Sequence, residues 1–252
     1  MPEKKQYSYL TAEEMLKNMR LMDDRFMNLV FDENNEAVEL VLNIILERDD
    51  LKVKTVEVQK VENNPKPDGR GLVLDIYAED ADGKVYDIEI QRADYGADVK
   101  RARLHSAVLD SRLLKANEKF SEVNDSYVIF ITENDKLGDM LPIYHIDRII
   151  RETGKYVDDG NHIIYVNGEY ESDTTAIGRL MHDFRCKDAK DMYYDELRRP
   201  VQHFKETEGG RSVMCKIWED YGNAREAEGR QEGIKNDDVP GIEERKIYEV
   251  TV

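Results

Sequence analysis

Two acids stand in a pattern that is otherwise apolar. Residues 69–92 read GRGLVLDIYAEDADGKVYDIEIQR. The alternating runs 72–78 and 85–90 flank the turn-prone residues 79–84, a pattern that predicts a β-hairpin. Asp75 lies in the first run and Glu89 in the second. If Ala81, Asp82 and Gly83 form a three-residue loop with Gly83 left-handed, and Glu79 and Lys84 close the turn, Asp75 falls opposite Glu89. Opposed residues share a face, with Cβ atoms about 4.5–5.5 Å apart. A two-residue Asp82-Gly83 loop would set Asp75 against Ile90 and part the two carboxylates. The three-residue register is the one expected, and it brings Gln91 to the face of the acids.

Two carboxylates gathered on an apolar hairpin repel each other, and removing them from water is costly unless a positive group sits between them. A divalent cation is the simplest such group. Mg²⁺ takes near-octahedral oxygen ligands, one or two of them carboxylates, and the carbonyl of Ile90 could add another oxygen. The competing reading makes Asp75 and Glu89 separate solvent-facing acids on an edge hairpin, in a chain rich in acids.

Asp75, followed after a short turn by Glu89-Ile90-Gln91, resembles the PD-(D/E)XK nuclease motif in the form found in the putative transposases called recombination-promoting nucleases. The resemblance continues through residues 99–114 (VKRARLHSAVLDSRLL), 127–148 (YVIFITENDKLGDMLPIYHIDR) and 178–194 (GRLMHDFRCKDAKDMYY), and covers most of residues 10–225. It implies a Mg²⁺-dependent DNA endonuclease, with Mn²⁺ as a substitute ion. Asp75 and Glu89 would be catalytic metal ligands, aided by the Ile90 carbonyl, and Gln91 would complete the catalytic set. Gln91 stands where many such enzymes carry lysine; an amide can orient a water or bind a phosphate oxygen but brings no positive charge. The family also has an acid three positions before a Phe near the first helix, and Asp23 before Phe26 matches it as a further candidate ligand.

The chain has 252 residues, 40% hydrophobic and 36% charged, enough for a sizeable core under a heavily ionised surface. Its two cysteines, Cys186 and Cys215, have neither a disulfide framework nor metal-ligand spacing, which points to a reducing cytoplasm. No apolar run reaches the ~20 residues of a membrane-spanning helix. The net charge of −17 opposes simple nucleic-acid binding unless a local face stays basic. Residues 92–119 provide one, with seven Lys or Arg against four Asp or Glu.

Elements must position these groups. A capping box at Thr11 and Glu14 predicts a helix whose stripe runs Met15, Met19, Met22, Phe26. Asn34 or Asn35 caps a second helix to about Arg48, packed through Val38, Val41, Leu42 and Ile45. Residues 53–61 alternate as a strand, and 63–69 read as a loop. Residues 98–119 read as one long helix, with Val99, Ala102, Ser106, Leu109, Leu113 and Ala116 facing the core and Arg101, His105, Arg112 and Lys115 sharing a charged face. Arg92, Arg101, Arg112 and Lys115 are the candidate contacts to the DNA backbone, although a solvated charged face is the competing reading. Residues 127–131 and 162–166 read as buried strands. Residues 174–184 form a packed helix that accounts for His182 and Cys186 without a metal, and helix follows over 189–218, interrupted at Pro200.

The fold class expected is α/β: a restriction-endonuclease-like core with a mixed central sheet of about five strands flanked by helices, plus a C-terminal helical extension. Residues 1–173 would be the core, 174–220 the extension, and 221–252 a charged, frayed or disordered tail. The partner implied is DNA rather than a membrane, and self-association stays open. A second reading, favoured by the missing lysine, the acidic balance and an ending VPGIEERKIYEVTV where the family continues a longer charged repeat, is a catalytically inactive DNA-binding or assembly protein that keeps the nuclease fold.

Overall fold

A computed structural model describes residues 12–63, 71–92, 96–214 and 216. The expected loop over 63–69 and the tail over 221–252 lie almost wholly outside the described residues, as does the Thr11 cap.

Three helices come first among the described residues: α1 (Ala12–Asn18), α2 (Asp24–Phe31) and α3 (Asn35–Ile45). The Met stripe does not belong to one helix. The chain turns between Asn18 and Asp24, where Asp23 accepts the Arg20 N–H at 2.7 Å, while Met22 within the turn and Phe26 on α2 are both buried in the core. Asn34 caps α3 by accepting the Ala37 N–H, and Val38, Val41, Leu42 and Ile45 are buried as their spacing requires.

Strands β1 (Val53–Glu62), β2 (Leu72–Asp80) and β3 (Val85–Gln91) follow as an antiparallel meander. The β2–β3 loop is Ala81-Asp82-Gly83, with Gly83 at φ +81°. Asp80, rather than Glu79, closes it with Lys84, their backbones bonding at 3.0 Å. Asp80 can do this because its buried side chain accepts the N–H groups of Asp82 and Lys84 and the Tyr86 hydroxyl. The ladder pairs Glu79 with Val85 and Ile76 with Ile88, the register that carries Asp75 opposite Glu89.

From β3 the chain crosses through α4 (Val99–Asp110) to β4 (Ser126–Thr132), which pairs parallel to β3. Parallel neighbours need such a crossover, and it places α4 on one face of the sheet. Helix α4 stops at Asp110, well short of Lys119. The Asp110 carboxylate is tied to Ser126 at 2.6 Å and Asn161 at 3.0 Å, which anchors the end of the helix to the sheet. His105 lies inside, buried with Ala102, Ser106 and Leu109, so it is not part of an outer charged face.

β5 (Ile143–Ile146), a small hairpin of β6 (Arg148–Ile150) and β7 (Lys155–Val157), and β8 (Asn161–Asn167) complete the strands. The main sheet has six strands rather than five, in the order β1-β2-β3-β4-β8-β5. β4 and β8 run parallel and β5 antiparallel, so the sheet is mixed. Helices α5 (Ala176–Arg185) and α6 (Asp195–Glu206) pack Leu180, Met181, Phe184, Leu197 and Val201 into the same cluster as α2 and α3. Pro200 lies within α6 without interrupting it, because burial of Leu197 and Val201 on either side holds the turn despite the missing N–H.

The sheet therefore has two cores, one under α2, α3, α5 and α6 and one under α4. β2 serves both: Leu72 and Leu74 join the α4 side, Ile76 and Ala78 the other. The exchange falls at Asp75. On β1 the same point, between the pairs Val58–Ile76 and Lys60–Leu74, is Gln59 with a left-handed φ of +51°.

Candidate active site

At this exchange point β2 and β3 bond reciprocally, the backbone of each to a side chain of the other. The Asp75 N–H donates to Glu89 Oε1 at 3.0 Å, and the Ile90 N–H donates to Asp75 Oδ2 at 3.1 Å. Gln59 Nε2 donates to Asp75 Oδ1 at 3.3 Å and, at the same distance, to Asn28 Oδ1 on α2. Next to the left-handed backbone of Gln59, the Asp75 carboxylate is thus fixed from two strands, by Gln59 of β1 and the Ile90 N–H of β3, with Asn28 of α2 steadying Gln59.

Glu89 is enclosed. Its side chain is 0% exposed, and Oε2 accepts from Arg101 Nη2 of α4 at 2.6 Å. Arg101 Nη1 also donates to Gln91 Oε1 at 3.2 Å and to the Gly96 carbonyl at 2.9 Å. Its Nε–H points at His105 Nε2, 3.2 Å away, and His105 Nδ1 lies 2.8 Å from Asp87 Oδ2. These partners assign the tautomer: Nδ1 carries the proton and donates to Asp87, while Nε2 accepts from Arg101. The result is a chain Asp87–His105–Arg101–Glu89 running behind the hairpin.

The electrostatics follow from burial. Desolvation, then the charges of Asp87 and Asp75, pushes the Glu89 carboxyl up to about 8. Desolvation, then the charge of Asp75, raises Asp87 to about 8. Asp75 is raised by desolvation against the opposing Ile90 N–H, with a further upward push from Asp24 at the start of α2. Burial lowers His105, which keeps the imidazole neutral, so its short contacts with the acids are hydrogen bonds rather than ion pairs. Asp87 Oδ1 is buried with no hydrogen-bond partner among the described residues.

Three carboxyl groups and one guanidinium meet here in a place largely shut off from water; ionising all three would leave an excess of negative charge, and the site holds protons instead while no cation is bound. Hard oxygen donors in excess of their counter-charge are what a divalent cation such as Mg²⁺ or Mn²⁺ fits. Asp87, Glu89 and His105 also form a compact donor group, with atoms within 4.8 Å of one another. That group is fully buried and its imidazole is already held from both sides, so of the acids only Asp75, which is half-buried, reaches toward solvent.

The expected site residues divide accordingly. Asp75, Glu89, Ile90, Gln91 and Arg101 come together. Asp23 does not join them by any bond: it accepts the Arg20 N–H and pairs with Arg92, which also meets Glu133 at 3.4 Å. Arg112, beyond the end of α4, lies 3.3 Å from Glu62 and donates to the Asn63 carbonyl. Lys115 is exposed on the following turn. The sequence reading passed over Asp87 and misplaced His105. The signals were present: Asp87, Glu89 and Gln91 alternate along one strand face, and His105 is one helical turn from Arg101.

The second donor group, His182, Asp183 and Cys186 on α5, is structural. Asp183 is buried and accepts the backbone N–H groups of Tyr193 and Tyr194, which pins the loop before α6.

A family model described as PD-(D/E)XK nuclease family transposase matches residues 21–169, more than half of the chain. Comparison with curated proteins and with solved structures gave no significant match.

Proposed function

Because the chain belongs to the PD-(D/E)XK nuclease family transposases, we propose that it is a DNA endonuclease that hydrolyses phosphodiester bonds with Mg²⁺ or Mn²⁺ held by Asp75 and Glu89. The observation that carries this reading is the reciprocal bonding that holds Asp75 and Glu89 opposite each other on the neighbouring strands β2 and β3, Glu89 accepting the Asp75 N–H and Asp75 the Ile90 N–H. A divalent cation there would polarise the scissile phosphate and lower the pKa of a bound water.

The chain's own residues supply the rest. Asp75 and Glu89 offer carboxylate oxygens, and the Ile90 carbonyl adds a third. Gln91 Oε1, held by Arg101, leaves its amide N–H₂ to bond a phosphate oxygen or to orient the attacking water. Arg92, next to Gln91, and Arg112 and Lys115, past the end of α4, have exposed side chains and would meet the phosphate backbone without reading sequence. Asp23 would act mainly as the partner of Arg92. A DNA substrate is consistent with the cytoplasmic location expected from the sequence, and no helix among the described residues is long and apolar enough to cross a membrane.

A non-catalytic DNA-binding or assembly role is the second reading. It is favoured by the net charge of −17 and by the Arg101–Glu89 ion pair, which already satisfies one oxygen of the second ligand. Incubation of supercoiled plasmid with the wild type and with Glu89→Gln, in Mg²⁺, Mn²⁺ and chelator, decides between the two. Metal-dependent nicking by the wild type that the variant loses is the expected result. No cutting in either metal, with DNA binding intact, would leave the second reading.

A further inference from the structure

Arg101 is held more closely than a surface arginine that merely contacts DNA. A guanidinium has five N–H groups in a fixed plane. Four are committed: Nε–H to His105, both Nη1–H groups to Gln91 and Gly96, and one Nη2–H to Glu89. The fifth, on Nη2, has no partner among the described residues. It sits on the nitrogen nearest the proposed metal ligand, in a side chain that is 36% exposed. Such immobilisation is unusual for a long cationic side chain, which otherwise loses about 2 kcal/mol of rotamer entropy on ordering.

The fixing comes from behind. Asp87 accepts from His105 Nδ1, and the imidazole presents Nε2 to Arg101 Nε–H. The ring of Phe130 backs both groups, 5.8 Å from the imidazole and 5.8 Å from the guanidinium carbon. Gly96 leaves room for the arrangement, since a Cβ there would lie 2.0 Å from Gln91 Oε1.

We propose that Arg101 is a catalytic residue that donates its remaining Nη2–H to a non-bridging oxygen of the scissile phosphate, and that His105 and Asp87 are positioning residues that aim it. This rests on the nuclease reading of the same site. In phosphodiester hydrolysis negative charge builds on the phosphate oxygens as the water oxygen bonds to phosphorus and the leaving oxygen departs, and a preorganised donor stabilises that charge. Gln91 is neutral, so the positive charge at this position comes from α4 and not from β3. One guanidinium serves two purposes, as counter-charge to the buried Glu89 and as phosphate clamp.

The test compares wild type, Arg101→Ala, Arg101→Lys and His105→Gln in three measurements. These are single-turnover plasmid cleavage in Mg²⁺, duplex DNA affinity in chelator, and binding of thymidine 5′-monophosphate in Mg²⁺ by calorimetry. Arg101→Ala should cut about 10²–10³-fold more slowly, with DNA affinity within about threefold of wild type. Added guanidinium ion at tens of millimolar should restore at least tenfold of its rate. Arg101→Lys, which keeps a charge beside Glu89 should the alanine variant fail to fold, should be slowed less and gain nothing from guanidinium. His105→Gln should fall between. The monophosphate should bind wild type at least tenfold more tightly than Arg101→Ala.

Loss of DNA affinity in proportion to rate, without rescue, would make Arg101 a backbone contact and overturn the proposal. So would wild-type rate and monophosphate binding in Arg101→Ala while wild type cuts. A wild type that cuts nothing but binds the monophosphate through Arg101 would refute the nuclease reading and the catalytic role, leaving a phosphate-binding site. Neither cutting nor binding would refute both.

Discussion

Asp75 and Glu89 are locked to each other through the backbone: Glu89 Oε1 accepts the Asp75 N–H at 3.0 Å, and Asp75 Oδ2 accepts the N–H of Ile90, the residue after Glu89, at 3.1 Å. Two acids that repel are thereby held together by neutral donors. Neither can swing away without leaving an N–H unbonded, which costs about 1–3 kcal/mol if buried.

The metal-free fold should lose stability as pH rises. Glu89 titrates near 8 in the folded chain against an unfolded value near that of a free carboxylate, so between those values the native state binds more protons. The unfolding free energy then falls as pH rises from about 5 and levels off above about 8.5. At about 1.4 kcal/mol per pKa unit the total drop is about 2–5 kcal/mol. Urea unfolding across this range, in chelator, measures it. Glu89→Gln should lessen the dependence without abolishing it, because Asp87 is raised to about 8 as well, and an unchanged slope in that variant would assign the titration elsewhere.

A cation at Asp75 and Glu89 should stabilise the fold by about 2.7 kcal/mol at a hundredfold excess over its dissociation constant, or about 5–10 °C in melting temperature for a chain of this size. Asp75→Asn should be as stable as wild type without metal, or more so, and respond weakly to Mg²⁺. Glu89→Gln should lose the response too, but its relief of repulsion is offset by the lost ion pair with Arg101. Asp23→Asn should keep the full response, because that carboxylate is engaged by Arg20 and Arg92. An equal shift in Asp75→Asn and wild type would rule out the site.

Gly96→Ala should damage function more than folding. The new Cβ would meet the far end of the Gln91 side chain, 2.0 Å from Oε1, and that amide can swing aside. Stability should change by less than about 1 kcal/mol. DNA cleavage should fall at least tenfold as Arg101 loses an acceptor. Melting curves beside plasmid nicking separate the effects, and wild-type cleavage would show that Gln91 need not be held.

Gly83→Ala should do the reverse. Gly83 has φ +81°, and a Cβ there would come within 2.8 Å of Asn124 Nδ2, whose amide donates to the Gly83 carbonyl. The left-handed conformation costs a non-glycine residue about 1–2 kcal/mol. A loss of about 2 kcal/mol, with metal response and register intact, is expected in urea unfolding. A neutral effect would mean that the loop relaxes freely.

The sequence by itself determined the hairpin, its three-residue loop and hence the meeting of Asp75 with Glu89, because strand alternation and turn chemistry are local rules that act over a few residues. It determined α3, β1, β4 and β8 for the same reason: cap and apolar period lie within each segment. The six-strand order, the end of α4 at Asp110 and the continuity of α6 through Pro200 were decided by packing between distant segments. So was the site behind the acids. As sequence, Arg101 and His105 are two charged or polar positions on an amphipathic helix, indistinguishable from a solvated face. Only the crossover that lays α4 against β3 turns His105 inward to Asp87 and brings Arg101 onto Glu89. Desolvation there gives the three acids their raised affinity for protons, and no spacing of residues encodes desolvation.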